Sequence, residues 1–231
     1  MAVRHRAVLF DLFDTLCRID ESLYLHGKES EARLLGLPLG EFLQAWVAAG
    51  DLSQTGVLPD IAARVRHTVA ALGAPPPDDE TVLRVAGIEE STLLSATSLY
   101  PDVPPALAEV RALPGLKIGL VSNASSTAAL LFERLGLRPW FDFVLFSFQA
   151  GVMKPSAAIY LKASAALGVS PAECLFVGDG NGAELDGAKA VGMEAVRIER
   201  PVSLGPYRKR DSVHFDASVP RLTEVVALIR T

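Results

Sequence analysis

Five short apolar runs, set apart by helical patterns, constrain this chain more than any other feature. Ala7-Val8-Leu9-Phe10 stops at Asp11, and Leu116 to Val121 stops at Ser122-Asn123. Phe143 to Phe146 follows, then Cys174 to Val177, which stops at Gly178-Asp179, and last Ala195 to Ile198. Unbroken apolar runs of this length predict strands buried on both faces, as in parallel sheets. Helical patterns run from Pro104 to Leu113, Ser126 to Leu135, Ala157 to Leu167 and Ala183 to Val191. Gly136, Gly168 and Gly192 stand just past the last three, where a left-handed residue ends a helix. Strand and helix in alternation predict an α/β chain: a Rossmann-like parallel sheet with helices on both faces.

The stretch from Cys17 to Ser98 breaks that rhythm. It carries helical patterns only, at Glu29–Leu35, Glu41–Ala49, Ile61–Leu72 and Glu80–Val85, with Ala74-Pro75-Pro76-Pro77 as a linker. The expected organisation is an α/β core of residues 1–16 and 99–231, with a helical domain of residues 17–98 inserted after the first strand. A chain of 231 residues has room for both.

Charge and cysteine content narrow the partners. The net charge is −5, and Arg208-Lys209-Arg210 is too short a basic run for nucleic acid, so a solvated loop is expected there. The acidic balance also argues against an anionic membrane surface. No window approaches the roughly 20 apolar residues of a membrane span. Cys17 and Cys174 are expected as reduced thiols, the first beside the entry to the helical insertion. These features predict a soluble, cytoplasmic protein. Oligomeric state is not legible; Trp46 and the apolar helices suit a core or a contact between copies.

Open parallel sheets bind ligands beyond the carboxyl ends of their strands. Asp11, Ser122-Asn123 and Asp179 should therefore meet in one crevice, with Lys154 in reach from the loop after the third strand. A single loop acid is more often a helix cap than a catalyst. Four such signals in order on one sheet shift the balance towards chemistry.

Those residues carry a resemblance. Phe10-Asp11-Leu12-Phe13-Asp14-Thr15-Leu16 resembles the first motif of the haloacid dehalogenase-like superfamily, and Val121-Ser122-Asn123 resembles the second. Gly151-Val152-Met153-Lys154-Pro155 resembles the third, and Val177-Gly178-Asp179-Gly180 through Glu184-Leu185-Asp186-Gly187-Ala188 resembles the fourth. The helical insertion is similar to that family's first-type cap domain. The resemblance implies a hydrolase with Asp11 as covalent nucleophile. It implies that Ser122 hydrogen-bonds the transferring group, with Asn123 beside it at the substrate. Lys154 would balance charge on nucleophile and substrate, and Pro155 would start the next helix. It implies Mg2+ held by Asp11, Asp179, the backbone carbonyl of Phe13 and an outer acid. Glu184 fits the outer acid's spacing, which leaves Asp186 on the helix surface and Asn181 at the metal's water shell or in the turn.

One departure stands out. Phosphatases of the family carry a second Asp two positions after the nucleophile as general acid and base; here that position is Phe13. Asp14 follows one residue later, on the other side of an extended segment, so a role in ordering the loop is expected unless a turn brings it round. Family dehalogenases place an aromatic at this position, because halide leaves without a proton. They do not use magnesium, however, and their fourth motif is based on Ser, whereas this chain keeps Gly178-Asp179 with Glu184; clustered acids beside a nucleophilic Asp repel it without a cation. A magnesium-dependent phosphatase of small organic phosphates is the leading reading. A dehalogenase attacking carbon and a non-catalytic ligand-binding protein stand as alternatives. His26, Glu29 and Glu31 are candidates for a replacement acid by residue type only; a solvated helix face accounts for all three.

Overall fold

The structure, a computed structural model, describes residues 5–230, the side chain of Pro206 excepted. In chain order the elements begin β1 (Ala7–Phe10), β2 (Cys17–Ile19), α1 (Glu21–Leu35), α2 (Leu39–Ala48), α3 (Gly50–Gln54), α4 (Ile61–Ala71), α5 (Asp79–Ala96) and β3 (Thr97–Leu99). They continue through α6 (Val103–Arg111), β4 (Lys117–Ser122), α7 (Thr127–Arg134), β5 (Phe143–Phe146), α8 (Ser147–Ala150) and α9 (Ala157–Leu167). The chain closes with β6 (Cys174–Gly178), α10 (Glu184–Ala190), β7 (Glu194–Ile198), β8 (Ala217–Val219) and α11 (Val225–Arg230).

Six strands form one parallel sheet in the order β5-β4-β1-β6-β7-β8. The chain moves outward from β1 through β4 to β5, then crosses back to β6 and builds the other half. The topological switch point therefore lies at β1, the place where such sheets open a crevice beyond their strand ends. β1 is paired on both sides, with Phe10 opposite Leu120 and Val177, and all four of its residues are fully buried. Alternate side chains enter opposite layers. Val8 and Phe10 pack with α6, α7 and α11, whereas Ala7 and Leu9 pack with α9 and α10. Burying a side chain the size of Phe10 contributes roughly 1.5–3 kcal/mol, so this centre is the firmest platform the sheet offers.

The five helices between β2 and β3 have a core of their own. Ala32, Phe42, Trp46, Val65, Val82 and Val85 cluster there, and Trp46 is 1% exposed, so it serves packing. Asp20, Asp60 and Asp78 cap α1, α4 and α5, each accepting from the backbone N–H three residues on. Two expectations need correcting. The segment is not helical throughout, because Cys17–Ile19 pairs antiparallel with Thr97–Leu99 as a short ribbon at its entry and exit. Three-residue strands have no readable periodicity, and only partners distant in sequence create them. The pattern at Glu80–Val85 is the front part of α5, which extends to Ala96.

Candidate active site

β1 ends with its last ladder bond reaching past the strand: the Asp11 N–H donates to the Val177 carbonyl at 2.9 Å. The Asp11 backbone is thus tied to β6 at the sheet centre, and the residue is 6% exposed. The chain then turns sharply. The amides of Leu16 and Cys17 both donate to the Leu12 carbonyl, and Asp14 takes a left-handed φ of 53°. That turn brings Asp14 to the same cavity, where its carboxylate accepts from the backbone N–H and hydroxyl of Ser203. Asp14 orders the loop as expected, and the turn leaves it facing the cavity as well. Phe13 lines the cavity and packs against the core.

Asn123 follows β4 and clamps the third loop. Its Nδ2 donates to the Lys154 carbonyl at 2.9 Å, and its Oδ1 accepts from the Lys154 N–H at 2.8 Å. Both ends of the amide are committed to backbone, so Asn123 positions Lys154. Ser122, fully buried at the end of β4, has an Oγ without a hydrogen-bond partner and is not among the cavity-lining residues. Pro155 does not start the next helix: the turn continues through Ser156, and α9 begins at Ala157.

Lys154 Nζ lies 2.5 Å from Asp11 Oδ1 and 2.5 Å from Glu184 Oε2. Burial opposes the charge on Lys154, but the two carboxylates outweigh it and raise its pKa. Glu184 is fixed by the Gly180 N–H on Oε1 at 3.0 Å and, through its carbonyl, by the Tyr160 hydroxyl at 2.6 Å. Gly178 makes room for it: a Cβ there would stand 2.1 Å from Glu184 Oε1. Oxygens of Asp11, Asp179 and Glu184, all three buried, lie within 4.8 Å of one another. Burial first pushes the carboxyl pKa of Asp11 up and that of Glu184 well up against the pull of Lys154, with repulsion from Asp179 adding to Asp11 and repulsion from Asp11 and then Asp179 adding to Glu184. Three buried acids share two cations, Lys154 on Asp11 and Glu184 and the Arg208 guanidinium on Asp179, and are short of positive charge. Hard oxygen donors so arranged fit a divalent cation.

Two sequence expectations fail here, for tertiary reasons. Arg208 is not part of a solvated loop: it donates to Asp179 at 2.6 Å and to Asp211 at 2.7 Å. Its neighbour Lys209 is exposed and pairs with Asp51 of α3. Glu31 is not on a solvated face: it is fully buried, 3.1 Å from the buried Lys28, which also meets Glu89 at 2.6 Å. His26 and Glu29 are exposed, and neither lines the cavity. Asp186 is half-buried and tethers the backbone of Val213 and His214, while Asn181 accepts from the Lys209 N–H; both organise loops. Cys17 and Cys174 are free thiols, and burial pushes both thiol pKa values up.

The cavity holds about 440 Å³ and joins the sheet's loops to the helical segment, being lined by Asp11, Lys154 and Asp179 as well as Tyr24, Arg64 and Leu93. Arg64 and Ser203 carried no sequence signal, because neither stands at a strand end or in a motif, and Arg208 was legible only as part of a short basic run. Among the described residues no helix is long and apolar enough to cross a membrane.

Comparisons with known proteins point to one family. A family model for haloacid dehalogenase-like hydrolases matches residues 5–192. The chain is 30% identical over 241 residues, 97% of either chain, to a glyceraldehyde 3-phosphate phosphatase of Methanopyrus kandleri. A phosphatase of this family from Thermococcus onnurineus superposes with a TM-score of 0.68 at 25% identity, covering 97% of this chain and 99% of that one. L-2-haloacid dehalogenase from Xanthobacter autotrophicus, with chloropropionic acid covalently bound, superposes with a TM-score of 0.66 at 24% identity over 98% of each chain, a likeness of fold alone.

Proposed function

The chain belongs to the haloacid dehalogenase-like hydrolases, and from that premise we propose that it is a magnesium-dependent phosphatase of small organic phosphates, with Asp11 as nucleophile. The observation that carries this reading is the buried Asp11–Asp179–Glu184 cluster with Lys154 against two of its members. A site for displacing halide from carbon needs no such collection of acids. The phosphatase name of the full-length relative from Methanopyrus kandleri supports the same choice.

In this reading Asp11, Asp179, Glu184 and the Phe13 carbonyl hold the ion. Bound Mg2+ supplies the positive charge that lets one carboxylate approach an anionic phosphoryl group. Lys154 holds Asp11 in place and offers its charge to the phosphoryl oxygens. Ser122, whose hydroxyl is buried behind the cavity wall without a partner, reaches the same group only if the end of β4 shifts on binding. Asp11 attacks phosphorus, the P–O ester bond breaks, and the alcohol leaves with a proton taken from water. Water then attacks the aspartyl phosphate at phosphorus, releasing inorganic phosphate and restoring Asp11. Residues 17–98 act as a cap domain whose closure sets specificity, over a core of residues 1–16 and 99–231.

A second reading rests on Phe13, which puts an aromatic ring where a proton donor would be expected. It predicts halide release from haloacids in the presence of chelator. The deciding experiment is turnover of a panel of phosphorylated metabolites with and without magnesium, for wild type and Asp11→Asn. Magnesium-dependent phosphate release that the substitution abolishes supports the phosphatase. Release that survives the substitution rules out the nucleophile, and halide release without metal selects the dehalogenase.

A further inference from the structure

Four cations line the cavity among the described residues: Arg64, Lys154, Arg208 and Lys209. Three are spoken for by carboxylates. Lys154 meets Asp11 and Glu184, Arg208 meets Asp179 and Asp211, and Lys209 meets Asp51. Glu89 shares the wall with Arg64, but its carboxylate is taken by Lys28 at 2.6 Å.

Arg64 is different in kind. It stands on α4, in the helical segment, and its guanidinium carbon lies 4.0 Å from the centre of the Trp46 ring. One terminal nitrogen donates to the Trp46 carbonyl at 2.6 Å, while Nε is buried with no hydrogen-bond partner. A buried charged donor without an acceptor is costly and uncommon, and it marks a place where a partner is missing. Stacking on a fully buried indole also removes most of the side chain's freedom before anything binds. The planar fork that remains matches a carboxylate or phosphate, which can accept two parallel N–H bonds.

We propose that Arg64 receives a second anionic group of the substrate, a carboxylate or a second phosphate, remote from the phosphoryl group that Asp11 attacks. The assignment rests on the phosphatase reading for the first group and names the substrate class: a small phosphate ester bearing a further anion. Asp11 and Lys154 come from the sheet's loops and Arg64 from the helical segment. One molecule held at both ends therefore spans the two, and its binding energy draws them together. The cavity, at about 440 Å³, is of a size for such a metabolite.

The test compares matched esters on wild type, Arg64→Gln and Arg64→Lys in magnesium. 3-Phosphoglycerate is set against glycerol 3-phosphate, and fructose 1,6-bisphosphate against fructose 6-phosphate. Wild type should prefer the member with two anionic groups in at least one pair. In Arg64→Gln its kcat/KM should fall about 10–100-fold, the worth of a charge-assisted hydrogen bond, with the partner ester changed by less than about threefold. Arg64→Lys should recover part of the loss. Equal losses within each pair, or no preference in wild type, would overturn the assignment while leaving a working phosphatase. Wild type inert on all four esters and on p-nitrophenyl phosphate would instead sink the phosphatase reading. Calorimetric binding of the same four esters then decides on Arg64: equal affinity of wild type and Arg64→Gln for the members with two anionic groups overturns it.

Discussion

Arg208 donates to Asp179 across 2.6 Å, so the acid placed to hold a metal carries a cation of its own from a loop 29 residues further on. The other Asp179 oxygen accepts from the Asn181 N–H at 3.1 Å. A metal at Asp179 must share it with, or displace, the guanidinium. Removing that competitor should strengthen magnesium binding. Arg208→Gln is expected to tighten Mg2+ about 3–10-fold, a modest gain because the pair is partly solvated, and to lower stability without metal. Magnesium titration followed by the shift in Tm reads both effects. Weaker magnesium binding in the variant would show that Arg208 supports the site.

Gly178 exists to make room. A methyl group there would overlap Glu184 Oε1 at 2.1 Å and Phe176 at 3.1 Å, both on fixed structure. Gly178→Ala should displace the Glu184 carboxylate from Lys154 and the Gly180 N–H. The expected cost is about 1–3 kcal/mol of stability, together with loss of the magnesium-induced rise in Tm. Denaturant unfolding with and without magnesium measures both. An unchanged response to magnesium would remove Glu184 from the metal site.

Phe13 lines the cavity where a proton donor would speed departure of the alcohol. General acid–base help is worth about 10²–10⁴-fold. Phe13→Asp is expected to raise kcat towards that range for esters of poor leaving groups and to change p-nitrophenyl phosphate hydrolysis little. Stability should fall, because the ring also packs against the core. A variant that slows both classes of ester would mean that the ring serves binding.

Glu31 makes a prediction about pH. Burial first, with the Glu89 charge adding to it against Lys28, pushes its carboxyl from the ordinary 4.5 up to about 8. Between those values the folded chain keeps a proton that the unfolded chain releases. Stability therefore falls as pH rises from about 4.5 to about 8, and flattens above. Glu31→Gln, permanently neutral, should show a shallower fall across that window by Tm. Parallel curves for variant and wild type would place the titration elsewhere.

What the sequence by itself determined is the part of the protein written in local pattern. Apolar runs that end in Asp11, Ser122-Asn123 and Asp179 specify buried strands, because a parallel strand must be apolar on both faces and must stop where it is not; of their polar ends Asp11, Asn123 and Asp179 line one cavity, and Ser122 stays buried behind it. Lys154 and Glu184 were legible as members of motifs. What only the tertiary structure decided is everything that depends on a partner far along the chain. Cys17–Ile19 becomes a strand only because Thr97–Leu99 lies beside it. Glu31 becomes a buried acid only because Lys28 and Glu89 close on it. Arg208 leaves solvent for Asp179 because burial has left that cluster with more negative charge than one lysine can balance, and Arg64, stacked on Trp46, pairs with no carboxylate among the described residues. Charges interact through space at a strength set by distance and burial, and neither quantity is written in the order of residues.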